Sequence, residues 1–216
     1  MSKVLTIDAL KTEAAQFAVR ESAHPEPTLF GVTDGKAVGT YLEHKFQAYL
    51  RQNYEFIEGS SAKGIDFPGI DVDIKVTSIR QPQSSCPFRS ARQKVYGLGY
   101  NLLIFVYEKN DVPETRTANL NILHSIFVDK SRTADFQTTY GLRRILENAG
   151  NLDDVLAFLA ERMLPLDDIQ AQRLAEEIVE KPPEIGYLTI SNALQWRLQY
   201  SRVIQQAGMI TGIEPL

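Results

Sequence analysis

Between Asp66 and Thr77 the chain reads DFPGIDVDIKVT, a short stretch that combines carboxylates, an ammonium group and alternating apolar residues. On an extended strand side chains alternate faces, so Ile70, Val72, Ile74 and Val76 form one side and Asp71, Asp73, Lys75 and Thr77 the other. Asp is a poor strand former, and like charges two residues apart on one face stand roughly 6.5 to 7 Å from each other and repel. A hard divalent cation held by carboxylate oxygens offsets that cost, and a neighbouring Lys helps. A cation captured beside an amine can polarise an anionic substrate and activate water.

The elements that must position this strand follow from periodicity. Helices are expected over Ile7 to Glu21, through Leu10, Ala14, Phe17 and Ala18, and over Lys36 to Asn53, with Val38, Leu42, Phe46, Tyr49 and Leu50 as buried stripe and Glu43 at its edge. Tyr54 to Glu58 is a short strand candidate, and Ile70 to Ser78 is the alternating strand. RQPQSSCPF reads as a polar loop, and Ser90 as the N-cap of a short helix closed by Gly97. LLIFVY from Leu102 to Tyr107 is a continuous apolar run, as in a strand covered on both faces. Asn121 to Val128 adds a further strand. Thr139 to Asn148, Leu152 to Arg162, Asp167 to Glu180 and Thr189 to Gln206 read as four helices. The expectation is an α/β class with a central mixed sheet flanked by helices and an α-helical C-terminal region. The expected organisation is one compact domain with a core and its N-terminal helix over 1–135 and a recognition or dimerisation region over 136–216.

With 216 residues, 44% of them hydrophobic, the chain can bury a sizeable core. The single cysteine, Cys86, excludes an internal disulfide and reads as a small buried hydrophobe. No apolar run approaches a membrane span, and the expected location is the cytoplasm. His24, His44 and His124 are too scattered for a zinc site, and no phosphate-cradling glycine motif occurs. The net charge of −4 argues against nucleic acid as a partner, since whole-protein basicity is its usual footprint, but Ile74 to Tyr107 holds no acid while containing Lys75, Arg80, Arg89, Arg92 and Lys94. Such a zone can neutralise phosphates on an otherwise acidic protein.

Glu43 on a helix, Asp66 ahead of the strand and Asp73-Ile74-Lys75 within it resemble the PD-(D/E)xK nuclease superfamily, whose largest group is the restriction endonucleases. The active-site strand is most similar to the branch of the mismatch-repair nicking endonuclease MutH. The resemblance covers about the first half of the chain. It departs from the pattern in lacking the Pro before Asp66, where Ile65 stands, although Pro68 follows. It implies the restriction-endonuclease-like core and hydrolysis of DNA phosphodiesters to 5′-phosphate and 3′-hydroxyl ends. Asp66 and Asp73, with the carbonyl of Ile74, would hold Mg²⁺, for which Mn²⁺ can substitute. Lys75 then orients or deprotonates the attacking water and stabilises the transition state. Glu43 binds a second metal or positions water. Asp71 shares the face of Asp73 and is either a ligand or a solvated acid; the family pattern favours Asp66.

Target reading is expected from two places. Arg80, Gln81, Gln83, Ser84 and Ser85 directly follow the catalytic strand, with Arg89, Arg92 and Lys94 on the short helix beyond, Lys94 being the first choice for a phosphate contact. The helix over 189–206 would present Asn192, Gln195, Gln199, Arg202 and Gln206 on one face, suited to base edges or to a subunit interface. Trp196 reads as a core anchor. The leading expectation is a type II restriction endonuclease acting on double-stranded DNA, a homodimer with one active site per strand, accompanied by a cognate DNA methyltransferase that is no stable subunit. A structure-specific repair or recombination nuclease on the same core, and a non-catalytic DNA-binding module with a merely structural acidic strand, are the alternatives.

Overall fold

The two apolar helix stripes and the continuous apolar run identified above meet on one sheet. The computed structural model describes residues 3–59, 64–86, 89–191 and 196–216. Along the chain come β1 (Lys3–Val4), α1 (Ile7–Ser22), β2 (Pro25–Glu26), α2 (Gly35–Leu50), β3 (Tyr54–Glu55), β4 (Val72–Ser78), β5 (Gln83–Cys86), α3 (Arg92–Tyr96), β6 (Asn101–Val112) and β7 (Thr117–Val128). They are followed by α4 (Phe136–Glu147), α5 (Leu152–Glu161), α6 (Asp168–Glu180), β8 (Thr189–Ile190), β9 (Trp196–Gln199), α7 (Ser201–Gln206) and β10 (Ile213–Pro215). This is the expected mixed α/β class. No described helix is long and apolar enough to cross a membrane.

The chain divides into two units, one comprising Met1–Ser84, Asn101–Val128 and Gln206–Leu216, the other Ser85–Tyr100 and Asp129–Gln205. The division is discontinuous along the chain.

The first unit holds the central sheet in the order β10-β7-β6-β4, with β2 paired to the far end of β7. β4 and β6 run parallel, Asp73 opposite Leu102 and Lys75 opposite Ile104, while β7 is antiparallel to both β6 and β10. Leu102 to Val106 of β6 are fully buried, which is why this stretch carries no polar alternation. Thr6 and Asp34 cap α1 and α2 through their side chains. The stripes of both helices are buried, and Phe17 and Phe46 place their rings 5.0 Å apart and each within 5.9 Å of Phe105 on β6. Glu21, buried on α1, is neutralised by Lys45 of α2 at 2.9 Å and receives the Tyr41 hydroxyl at 3.0 Å, so a paired charge joins the two helices beside the apolar contact.

In the second unit α3 to α6 close around Val95, Leu142, Val155, Leu159, Ala175 and Ile178. α5 and α6 begin with reciprocal capping boxes at Asn151 and Asp167. A small sheet runs β5-β9-β8, with β8 and β9 antiparallel. Asp135, buried at the start of α4, accepts from the Thr138 backbone N–H at 2.9 Å and from that of Ile190 at 2.8 Å, fastening β8 to the helix. Gly186 passes so close to Ala134 that a Cβ would fall 2.1 Å from its carbonyl oxygen, so only glycine fits this approach.

Three sequence expectations are corrected. The polar loop after the alternating strand contains β5. The helix expected over Thr189 to Gln206 is β8 and β9 followed by the short α7. Trp196, Leu198 and Tyr200 are buried while Arg197 and Gln199 are exposed, a period of two that satisfies β8 as partner and defeats the helical reading of the same apolar residues. Finally, the strand begins at Val72, and Asp71 stands outside it.

Candidate active site

β4 departs from simple alternation at its first residues. Val72, Asp73 and Ile74 are all buried, so Asp73 points its carboxylate into a protein-walled recess and not to open solvent. The approach to β4 is a tight reversal in which Phe67 and Val72 exchange backbone hydrogen bonds of 2.9 and 3.2 Å around Pro68 and Gly69. Asp71 closes it in the left-handed region, φ 52°, with its side chain exposed. Its carbonyl accepts from the Asn101 backbone N–H at 2.8 Å and from the Asn101 side-chain amide at 3.1 Å, so the buried Asn101 clamps the turn to the start of β6. This doubles the chain back so that Asp66 reaches the strand it precedes, its Oδ2 accepting from the Ile74 backbone N–H at 2.7 Å. At the entrance of this segment the Gly59 N–H donates to the Asp66 carbonyl at 2.9 Å, and a Cβ on Gly59 would lie 1.8 Å from the Ile65 carbonyl oxygen.

The expected residues therefore meet. Lys75 Nζ lies 2.7 Å from Asp73 Oδ2, and that oxygen is buried without a hydrogen bond of proper direction. Asp66 adjoins Asp73 closely enough to raise its pKa by hydrogen bonding and by charge. Glu43 comes from α2, one turn after Gly39, which faces Val76 of β4. Its carboxyl is pushed up to about 7 by burial and by the Asp66 charge, against the opposing pull of Lys75. The Asp73 carboxyl is likewise well above the usual range, chiefly through burial, with Lys75 opposing and Asp66 adding to the rise. Burial works to lower the Lys75 pKa, but Asp73, Asp66 and Glu43 together hold it above its ordinary value.

Three carboxylates around one ammonium leave the recess short of positive charge, and Asp73 Oδ2, paired with Lys75 by charge but without a hydrogen bond of proper direction, has room in its donor set for a cation. Magnesium uses one or two protein carboxylates and fills its remaining positions with water and substrate oxygens, so Asp66 and Asp73 fit it. Among the described residues no group of three or more His, Cys, Asp or Glu side chains is placed to hold a metal, so Glu43 does not complete a three-carboxylate shell.

The residues expected to read DNA are dispersed in character. Arg80, Gln81 and Ser85 are exposed, while Gln83 and Ser84 are half-buried. Thr77, grouped by alternation with the polar face, is buried and its hydroxyl organises the turn after β4, accepting from the Gln83 N–H at 2.9 Å and meeting the Gln81 carbonyl at 3.2 Å. Arg89 is exposed and borders a cleft of about 460 Å³ with Ser90, Arg92, Arg173 and Glu177. Arg92 is engaged by both carboxylate oxygens of Glu177, at 3.0 and 2.5 Å, and lies over the Tyr96 ring. Lys94 corrects its expectation most clearly: it is buried, its ammonium 5.8 Å from the Trp196 ring centre, and burial lowers its pKa against the charge of Asp135. A short helix buries one face, and Lys94 falls on it beside Val95. Asn192 and Gln195 lie outside the described residues. Gln199 is exposed on β9, Gln206 is half-buried on α7, and Arg202 packs its guanidinium 3.6 Å over the Phe136 ring. Asn101 and Arg197 were not singled out from sequence. An Asn opening an apolar strand signals the former, and alternation in WRLQY the latter.

The family model described as type II restriction enzyme NspV matches residues 4–215. The chain is 66% identical over 210 residues to the type II restriction enzyme NspV of Nostoc sp. (strain ATCC 29411 / PCC 7524), an alignment spanning 97% of this chain and 96% of that relative. No solved structure matches it. With a carboxylate recess suited to a cation and a match across nearly its whole length, the chain belongs to the NspV family of type II restriction enzymes and is a site-specific deoxyribonuclease.

Proposed function

We propose that this restriction endonuclease cleaves duplex DNA in a Mg²⁺-dependent reaction at the recess formed by Asp66, Asp73, Lys75 and Glu43, leaving 5′-phosphate and 3′-hydroxyl ends. The observation that carries this reading is the meeting of Asp66, Asp73 and Lys75, with a buried Asp73 oxygen that no protein donor satisfies in a proper direction. Asp66 and Asp73 would hold the metal, together with the Ile74 carbonyl. When bound, the ion would polarise the scissile phosphate and lower the pKa of its water. Lys75, kept cationic by its carboxylate neighbours, donates to the attacking water or to a phosphate oxygen as negative charge builds. Glu43, partly withdrawn from solvent, positions water or serves a second ion.

The same constellation supports membership of the PD-(D/E)xK superfamily near its MutH-like branch. Cleavage of both strands is assigned to a homodimer, in which a twofold axis matches two sites to a palindrome. The enzyme works in the cytoplasm, beside a separate methyltransferase that shields the host sites. Exposed Arg80 and Arg89 serve the phosphate backbone.

Plasmid DNA incubated with the protein and Mg²⁺ should give discrete fragments that ligase rejoins without prior phosphorylation, and EDTA should stop the reaction. A smear, products that ligate only after kinase treatment, or undiminished cutting in EDTA would refute the proposal.

The left-handed turn that takes Asp71 out of β4 supports Asp66 over Asp71 as the ligand. Asp71→Gly should retain cleavage within about threefold and melt at the same or a higher temperature, because relieving a non-glycine residue at positive φ is worth on the order of 1 kcal/mol. Thermal melting and plasmid cleavage check both halves; loss of activity in a stable variant would restore Asp71 as a ligand.

A further inference from the structure

The acids of this chain number 27 among 216 residues, one in eight on average, yet two long stretches contain none: Ile74 to Tyr107 and Ile185 to Ile213. The fold joins them. β5 comes from the first and β8 and β9 from the second, and the three form one sheet in the order β5-β9-β8. One face of β9 is anchored, with Trp196, Leu198 and Tyr200 at 2% exposure or less. The other presents Arg197 and Gln199, both exposed. Thr189 stands opposite Gln199 in the pairing register and so shares its face. Ser191 exchanges backbone-directed hydrogen bonds of 3.1 and 3.0 Å with Arg197, and Ser85 is exposed on β5.

This face differs from an ordinary solvated strand, which mixes Lys and Glu. Its groups are hydroxyls, an amide and one guanidinium, with no acid. Three cations of this unit are engaged internally: Arg92 by Glu177, Arg202 over Phe136, and Lys94 in the interior. Among the described residues the Arg197 side chain has no hydrogen-bond or ion-pair partner.

We propose that the outward face of β8 and β9, led by Arg197 and Gln199, reads base edges of the target duplex. A strand pair fits the major groove. Arg makes paired hydrogen bonds to guanine O6 and N7, and Gln to adenine N6 and N7, while Thr189 and Ser191 are short enough to flank them without blocking approach. The buried Trp196, Leu198 and Tyr200 hold the strand rigid, so that Arg197 and Gln199 are presented in fixed register, as discrimination requires. Absence of acids over the whole sheet removes the repulsion that phosphates on either side of the groove would otherwise meet. The inference rests on duplex DNA as substrate and not on which residues perform the cleavage.

The test begins by mapping the cleavage site from fragment ends of digested plasmid. The wild type, Arg197→Ala, Arg197→Lys and Gln199→Ala are then compared by kcat/KM on a 20-bp duplex holding that site and on duplexes with each base pair substituted singly. Arg197→Ala should lose about 10- to 100-fold on the mapped site, with the loss largely absent on duplexes substituted at one position, and Lys should not rescue it because it lacks the planar fork. Gln199→Ala should relax a different position. An unchanged discrimination ratio overturns the proposal. So does an equal loss on every duplex with a shallower salt dependence, which marks a phosphate contact, or a fall in sedimentation mass, which marks a subunit interface. Should Arg197→Ala fail to fold, Arg197→Lys and Gln199→Ala decide alone. Wild-type protein that cuts without discrete sites would sink base reading as a whole, whereas discrete cutting with unaltered variants would sink this assignment only.

Discussion

Replacing Asp73 by Ala should reduce Mg²⁺-dependent cleavage by on the order of 10³-fold or more, below detection in a plasmid assay, while the protein remains folded. The cause is the loss of the one carboxylate that is buried, adjoins both Asp66 and Lys75, and has an oxygen paired with the Lys75 ammonium by charge at 2.7 Å but with no hydrogen bond of proper direction. Stability should suffer little. Lys75 still faces Asp66 and Glu43, and removing Asp73 relieves its repulsion with Asp66. Binding of duplex DNA without metal should hold or tighten, because one negative charge has been taken from a surface that phosphate must approach. Thermal melting, a gel-shift titration in EDTA and plasmid cleavage make the three readouts. Cleavage by the variant within tenfold of wild type would remove Asp73 from the reaction.

Replacing Lys75 by Ala should cost about 10² to 10³ in kcat and yet leave metal uptake intact, which separates it from the effect at Asp73. Its ammonium, 2.7 Å from Asp73 Oδ2, contributes positive charge and hydrogen-bond donors but no metal ligand. Removing it makes the recess more negative, so calorimetric titration with Mn²⁺ should show equal or stronger binding in Lys75→Ala and strongly weakened binding in Asp73→Ala. Lys75→Arg keeps the charge in a larger, planar group and should recover little of the rate, since the recess is closely walled. If Lys75→Ala loses metal binding in step with activity, the residue supports the site's structure and not its chemistry.

How much of this was legible beforehand differs element by element. α1, α2 and the α4 to α6 series were expected within a few residues of their observed bounds, because each carries a complete apolar stripe and a capping residue that act locally. β6 was legible from its unbroken apolar run, though the strand extends to Val112 through the consecutive polar residues Glu108 to Asp111. Thr189 to Gln206 failed because LTISNALQWRLQY satisfies a helical and a strand period at once, and only the pairing of Ile190 with Leu198 decides between them. The DNA-facing expectations divided for a similar reason. Charge and position in sequence nominated Arg92 and Lys94, but a partner on α6 engages the first and the hydrophobic interior takes the second.

By itself the sequence determined the chemical types present: the spacing of Asp66, Asp73 and Lys75, the acid-free stretches and the helical stripes are properties of local order that need no partner to be read. What only the tertiary structure decided is which of those groups share a point in space. The left-handed turn at Asp71, held by Asn101 from a distant strand, brings Asp66 back onto β4 and removes Asp71 from it, and β5 and β9 join two acid-free stretches far apart in the chain. Side-chain convergence depends on contacts between residues remote in sequence, whose free energy arises from burial and hydrogen bonding that no local window contains.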